Sequence, residues 1–187
     1  MAMCRSKLDP ALGGVQCGQS VSRQVAYLNT VLTQTRIWGP PLYFAKIDLS
    51  CMFASTCYDF LCETSFFFGV PLPWAQVFMR QVKGNALELT TVRREHIRIL
   101  MYQGLVEGAP TSVIAVALIL SRLLTAVRQS QQFSSIAELE ADTIQQGIPL
   151  PHLGWLDDWI FFPECPMHLD ILVRLWASLC EKANWRI

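Results

Sequence analysis

The segment GWLDDWIFF, at residues 154–162, places two adjacent carboxylates inside an otherwise apolar stretch. Ionised carboxylates are rarely buried unless they are paired or hold a metal. Asp157 and Asp158 are therefore expected at the exposed tip of a hairpin whose aromatic side chains enter the core. Two like charges this close repel each other, and bound Mg²⁺ would relieve the repulsion because it prefers carboxylate oxygens.

Composition limits the class of protein. Hydrophobic residues make up 52% of the 187 residues and charged residues only 16%, which is typical of a piece whose faces pack on other parts of a protein. Lys plus Arg and Asp plus Glu balance at 15 each, so net charge gives no sign of a nucleic-acid partner. The basic cluster at residues 93–98 is interpreted as a solvated turn.

Cysteine usage and apolar runs predict the compartment. The seven cysteines include no C-x-x-C pair, which favours free thiols in a reducing environment. The longest apolar run, residues 113–120, is far shorter than the roughly 20 residues of a membrane span. The N-terminus has no secretory signal. We expect an intracellular protein without a membrane segment, located in the nucleus or the cytoplasm.

Hydrophobic periodicity predicts helices mixed with hairpins, which indicates an α+β fold with an antiparallel sheet. The predicted helices begin at Ser20, near Phe53, at Pro73, near residue 113, near Ser135 and near Leu169. The predicted strands are residues 42–48, a hairpin within 86–100 and the hairpin that carries Asp157 and Asp158. Residues 1–19 are predicted to be irregular, residues 20–187 to form one domain, and residues 129–151 to be a polar insertion.

A third carboxylate is needed to complete a metal site at the Asp157–Asp158 tip. Asp48 is the candidate because it ends the predicted strand LYFAKID at residues 42–48. An Asp at a strand end together with an Asp-Asp hairpin is the layout of a two-metal phosphoryl-transfer site.

Three segments, FAKIDLSCMF, QGLVEGAPTS and GWLDDWIFF, resemble in that order the core motifs of reverse transcriptases. They are most similar to those of non-long-terminal-repeat retrotransposons, and the resemblance extends from about residue 15 to residue 187. It implies a partial finger–palm domain, with a palm-like antiparallel sheet that carries the catalytic hairpin and packs on helices, and with no thumb. The implied activity is RNA-directed DNA polymerisation on an RNA template and a DNA primer with deoxynucleoside triphosphates.

The resemblance also implies roles for individual residues. Asp48, Asp157 and Asp158 fall on the catalytic carboxylates that hold two Mg²⁺ ions, with Mn²⁺ as a possible substitute. Phe53 falls on the steric gate that excludes a 2′-hydroxyl. The Gly/Pro loop at 103–112 contacts the template and the incoming nucleotide. The loop residues implied in that contact are Gly104, Glu107, Gly108, Pro110 and Ser112.

Departures from the family pattern leave alternatives open. Glu107 replaces a common Gln, Ala54 replaces a common Asp, and the earliest finger motifs and a thumb have no match. A polymerase without a thumb is not expected to clamp a duplex, so the isolated chain is expected to be inactive. The first alternative is a catalytically inactive remnant of a retrotransposon polymerase with no enzymatic role. The second is an unrelated helical interaction module whose motifs arise by chance.

Overall fold

The computed structural model describes residues 8, 12–13, 20–39, 41–83, 86–129, 152–163 and 165–187. Its helices are Val21–Trp38 (α1), Met52–Ser55 (α2), Tyr58–Phe67 (α3), Leu72–Lys83 (α4), Pro110–Gln129 (α5) and Pro166–Lys182 (α6). Its strands are Leu12–Gly13 (β1), Ala45–Asp48 (β2), Ala86–Thr90 (β3), His96–Leu100 (β4), His152–Trp155 (β5) and Asp158–Phe161 (β6). The helix predicted near Ser135, and most of the predicted insertion at 129–151, lie outside the described residues.

Two small sheets are formed by these strands. The larger sheet has the order β1-β5-β6-β2, in which β6 pairs antiparallel with both β5 and β2, and β1 pairs in parallel with β5. The smaller sheet is the predicted hairpin β3–β4. The α+β class with antiparallel pairing is thus confirmed. The segment predicted to be irregular nevertheless contributes Leu12, which is fully buried, to the edge of the larger sheet.

The core lies on one face of the larger sheet. Residues alternate between the two faces of a strand, and Ile47, Trp159 and Phe161 are the buried ones, whereas Asp48 and Asp158 are exposed. Trp176 of α6 packs on this face, with ring centroids 5.3 Å from Trp159 and 5.4 Å from Phe161. The alternation directs the apolar side chains into the core and leaves the acidic side chains on the solvent face.

Helix α5 supplies much of the remaining core. Its residues from Ala115 to Leu120 are all buried, and the helix contacts α3, α4 and α6. The window Pro110–Val127 is long and apolar enough to cross a membrane by length and composition, yet 61% of it is buried inside the fold. Its apolarity is therefore accounted for by packing between neighbouring helices.

The single helix predicted for residues 53–67 is wrong, because the helix is broken at Thr56 and Cys57. The break frees backbone groups for tertiary hydrogen bonds. Gly104 N donates to Thr56 O at 2.9 Å, and Cys57 N donates to Ala183 O at 3.0 Å. The Thr56 hydroxyl also accepts from the Trp185 indole N–H at 3.0 Å. Because these partners are distant in the sequence, hydrophobic periodicity could not predict the hydrogen bonds.

Helix α1 begins directly after Ser20, as predicted. The Ser20 hydroxyl caps it by accepting from Arg23 N at 3.2 Å, and Gly39 ends it with φ of 77°. Val21, Val25 and Leu32 recur at the spacing of one helix face, yet all three are about half exposed. Gln24 is partly buried instead and donates from Nε2 to Gly154 O at 2.9 Å.

Candidate functional site

The acidic side chains meet at one end of the larger sheet. Asp48, the last residue of β2, lies directly opposite Asp158, the first residue of β6. Directly opposed residues of an antiparallel pair point to the same face, and both side chains are exposed. The two strands and the shared face bring together two carboxylates that are far apart in the sequence.

Asp157 lies in the two-residue turn between β5 and β6. Such turns require a positive φ at their first central residue, and Leu156 has φ of 53°. A non-glycine residue in this region costs roughly 1–2 kcal/mol, and the side chain of Leu156 packs against the core, which offsets that cost. The Asp157 carbonyl accepts from Leu49 N at 3.1 Å, which ties the turn to the end of β2 beside Asp48.

Gly154 and Trp159 fix the hairpin that carries the doublet. They are opposed in the β5–β6 pair, and the indole lies over the glycine so closely that an added Cβ would be 2.2 Å from a ring carbon. The Trp159 Nε1–H donates to Leu156 O at 2.8 Å, so the buried ring also holds the turn. The small residue and the large ring are thus complementary parts of one hairpin.

Lys46 provides a positive charge beside Asp158. It lies on β2 two residues before Asp48 and therefore on the same face, and its Nζ is 3.3 Å from Asp158 Oδ1. Both side chains are more than half exposed, at 65% and 55%. Alternation along β2 could have placed Lys46 on this face from sequence, but its pairing with Asp158 requires the strand register.

The chemistry of the donor set fits Mg²⁺. Asp48, Asp157 and Asp158 supply only carboxylate oxygens, which Mg²⁺ prefers. Among the residues that the structure describes, no three metal-ligating side chains are gathered closely enough to hold an ion. Coordination by all three carboxylates would therefore require their side chains to change rotamer.

The Gly/Pro loop is attached to the segment that follows Asp48. Leu105 N donates to Phe53 O at 2.6 Å, and Gly104 N donates to Thr56 O at 2.9 Å. Gly104 has φ of 88°, and a Cβ there would be 2.3 Å from Ala54 O. Only glycine fits this contact, so Gly104 has a structural role in joining the loop to α2. Phe53 itself is partly buried against the core.

Tyr58 also stabilises the contact between Gly104 and α2. Its hydroxyl donates to Gly104 O at 2.7 Å. A tyrosine hydroxyl is protonated at neutral pH and able to donate even at its ordinary pKa of about 10, and burial raises the pKa of Tyr58 further. The predicted set of site residues did not include Tyr58, and nothing in its sequence context distinguishes it from a core aromatic residue.

The remaining predicted loop residues lie further along the same loop. Glu107 and Gly108 form an exposed turn, in which Gly108 has φ of 80°. Pro110 is the first residue of α5, a position where its missing N–H costs nothing. Ser112 is buried in the first turn of that helix. Of the predicted loop residues, Glu107, Gly108 and Pro110 are therefore exposed, and Gly104 and Ser112 are buried.

Comparison with known proteins gives structural matches alone. No family model and no curated protein matches the sequence significantly. An apo telomerase from Candida tropicalis truncated from its C-terminal domain superposes with a TM-score of 0.64 and 15% identity over 94% of this chain. A telomerase from Candida albicans, solved with a TWJ fragment of telomeric RNA, superposes with a TM-score of 0.65 and 12% identity over 94% of this chain. A second apo telomerase from Candida tropicalis superposes with a TM-score of 0.61 and 14% identity over 88% of this chain.

These matches span only part of the larger proteins. The chain covers 34%, 30% and 30% of the three telomerase chains respectively. Identities this low are informative about the fold, and the non-long-terminal-repeat origin stays a prediction. Telomerase is a reverse transcriptase, and the chain therefore has a reverse-transcriptase-like fold.

Proposed function

We propose that the chain is the palm-containing part of an RNA-directed DNA polymerase, which transfers deoxynucleotides to a primer 3′-hydroxyl. The observation that carries the proposal is the direct pairing of Asp48 with Asp158 on the solvent face of the sheet, beside the turn that exposes Asp157. The reverse-transcriptase-like fold supports it independently, because it comes from the backbone and not from these three residues.

Each acidic residue has a role in the proposed chemistry. Asp48, Asp157 and Asp158 would hold two Mg²⁺ ions, which when bound supply the charge that activates the 3′-hydroxyl and stabilises the departing pyrophosphate. The hairpin positions the backbone of Asp158 opposite that of Asp48, so on metal binding only the carboxylate side chains would have to become ordered. The apolar face behind them keeps the strands rigid.

The substrates follow from the same proposal. Phe53 would exclude the 2′-hydroxyl of a ribonucleotide, and the exposed turn at Glu107 and Gly108 would contact the template and the incoming nucleotide. The Candida albicans telomerase is solved with a TWJ fragment of telomeric RNA, which supports RNA as a partner of a similar fold. The DNA primer and the deoxynucleoside triphosphates come from the motif resemblance.

An inactive remnant is the second candidate, and two observations favour it. The described part of the chain gathers no three metal-ligating side chains into a site, and the Asp158 carboxylate is paired with Lys46. A remnant would keep the fold and the aspartates but would bind no catalytic metal. Metal binding therefore separates the two candidates.

Thermal unfolding with and without Mn²⁺ provides the test. We expect Mn²⁺ to raise the midpoint of the wild-type protein and to leave Asp157→Asn unmoved. At about ten times the dissociation constant, mass action contributes ~1.4 kcal/mol, or roughly 3–6 °C for a chain of this size. Without Mn²⁺, Asp157→Asn should unfold within about 0.5 kcal/mol of wild type, because the turn uses the Asp157 backbone carbonyl, which the variant retains.

Asp170→Asn is the matched control, since Asp170 is an exposed carboxylate on α6 paired with Arg174. It should keep the full Mn²⁺ shift. Equal shifts in the wild type and Asp157→Asn, or no shift in either, would contradict the metal site and favour the remnant. Primer extension on an RNA template, with Asp48→Asn as the inactive control, then tests whether bound metal supports synthesis.

A further inference from the structure

Lys46 and Asp158 form a diagonal pair across two strands. Lys46 lies opposite Ile160 on β6, two residues from Asp158, and Asp158 lies opposite Asp48. All three charged side chains share the solvent face, so Lys46 reaches along the sheet to the carboxylate of Asp158 at 3.3 Å. The strand register dictates this contact, because Lys46 could not reach Asp158 if the strands were shifted by one residue.

The ion pair uses an oxygen that the proposed metal site also needs. An ammonium 3.3 Å from Asp158 Oδ1 neutralises the carboxylate and repels a second cation at the same place. Exposed ion pairs are weak, and both side chains here are more than half exposed, so a divalent cation could displace the lysine. Lys46 also lines a groove of ≈ 290 Å³ between α1 and the sheet, which leaves room for its side chain to move.

We propose that Lys46 is a positioning residue that competes with a divalent cation for the Asp158 carboxylate. This rests on the proposed function, because the metal is that of the polymerase site. The competition lowers the affinity of the site for free cations. A cation that already carries a triphosphate, whose oxygens would supply additional ligands, would displace the Lys46 ammonium more readily. Lys46 would thereby favour a nucleotide-bound cation over a free one.

The first test measures Mn²⁺ affinity by calorimetry on the full chain. Lys46→Met should bind Mn²⁺ up to roughly fivefold more tightly than wild type, as expected for removing one partner of an exposed pair. Lys46→Arg keeps the charge and should stay within about twofold of wild type. Lys83→Met is the matched control, because Lys83 is a half-exposed lysine paired with Asp59 at 3.7 Å. It should not change the affinity.

The second test observes the lysine directly. The chain has four lysines, at positions 7, 46, 83 and 182, so reductive ¹³C-methylation gives few signals and keeps their charge. Adding Mg²⁺ should move the Lys46 signal of the wild type toward its position in Asp158→Asn without Mg²⁺. The Lys83 signal should stay in place.

The outcomes separate this inference from the proposed function. The competition alone would be overturned if the wild type binds Mn²⁺, Lys46→Met binds it with equal or lower affinity, and Mg²⁺ does not move the Lys46 signal. Absence of Mn²⁺ binding in the wild type, Lys46→Met and Lys83→Met would overturn both. Tighter binding by Lys46→Met together with release of the Lys46 signal supports both.

Discussion

Gly104→Ala is expected to destabilise the protein by roughly 2–5 kcal/mol, the sum of a left-handed backbone penalty and an overpacked contact. Gly104 has φ of 88°, and the added Cβ would be 2.3 Å from Ala54 O. That neighbour is a backbone atom held by α2, so it cannot rotate away as a side chain could. The loop must therefore move, and the hydrogen bonds from Gly104 N to Thr56 O and from Tyr58 to Gly104 O are lost with it.

Gly108→Ala is the control for Gly104→Ala. Gly108 also has a positive φ, of 80°, but its added Cβ meets nothing within 4 Å. It should cost only the backbone penalty of roughly 1–2 kcal/mol. Urea unfolding of both variants measures the difference. Equal destabilisation would show that the contact between the loop and α2 is not as tight as the structure describes.

Trp159→Ala is expected to cost roughly 3–5 kcal/mol, the usual range for removing a buried aromatic side chain. The indole is 0% exposed and packs against Phe161 and Trp176. Its Nε1–H also donates to Leu156 O in the turn before Asp157. The variant should therefore lose Mn²⁺ binding as well as stability, because the hairpin that presents the doublet is no longer held.

Trp74→Ala provides the comparison, since Trp74 is 69% exposed on α4. Its loss should change the free energy of unfolding by no more than about 0.5 kcal/mol and leave Mn²⁺ binding intact. Urea unfolding and Mn²⁺ titration of the two variants suffice. The metal affinity of Trp159→Ala is compared under conditions in which the variant is fully folded. If that affinity equals the wild-type value, the proposed role of the ring in holding the turn is wrong.

The sequence alone determined the hairpin that carries Asp157 and Asp158. Carboxylates flanked by large apolar residues on both sides have few stable placements, and a turn at the end of a buried hairpin satisfies both demands. The strand ending at Asp48 and the helices after Ser20 and Pro73 follow from similarly local signals, namely alternation, capping and Gly or Pro stops. Local chemistry is sufficient there because each signal acts within a few residues.

Tertiary structure decided which of these elements meet. The pairing of Lys46 with Asp158, the inward face of α1 and the parallel addition of β1 each depend on partners far away in the chain. The break at Thr56 is the clearest case, because the helical pattern continues through it and the gain lies in hydrogen bonds to Gly104, Ala183 and Trp185. Hydrophobic periodicity indicates which side chains are buried. It does not indicate which backbone group a distant residue will hydrogen-bond, and for that reason these tertiary contacts could not be predicted from the sequence.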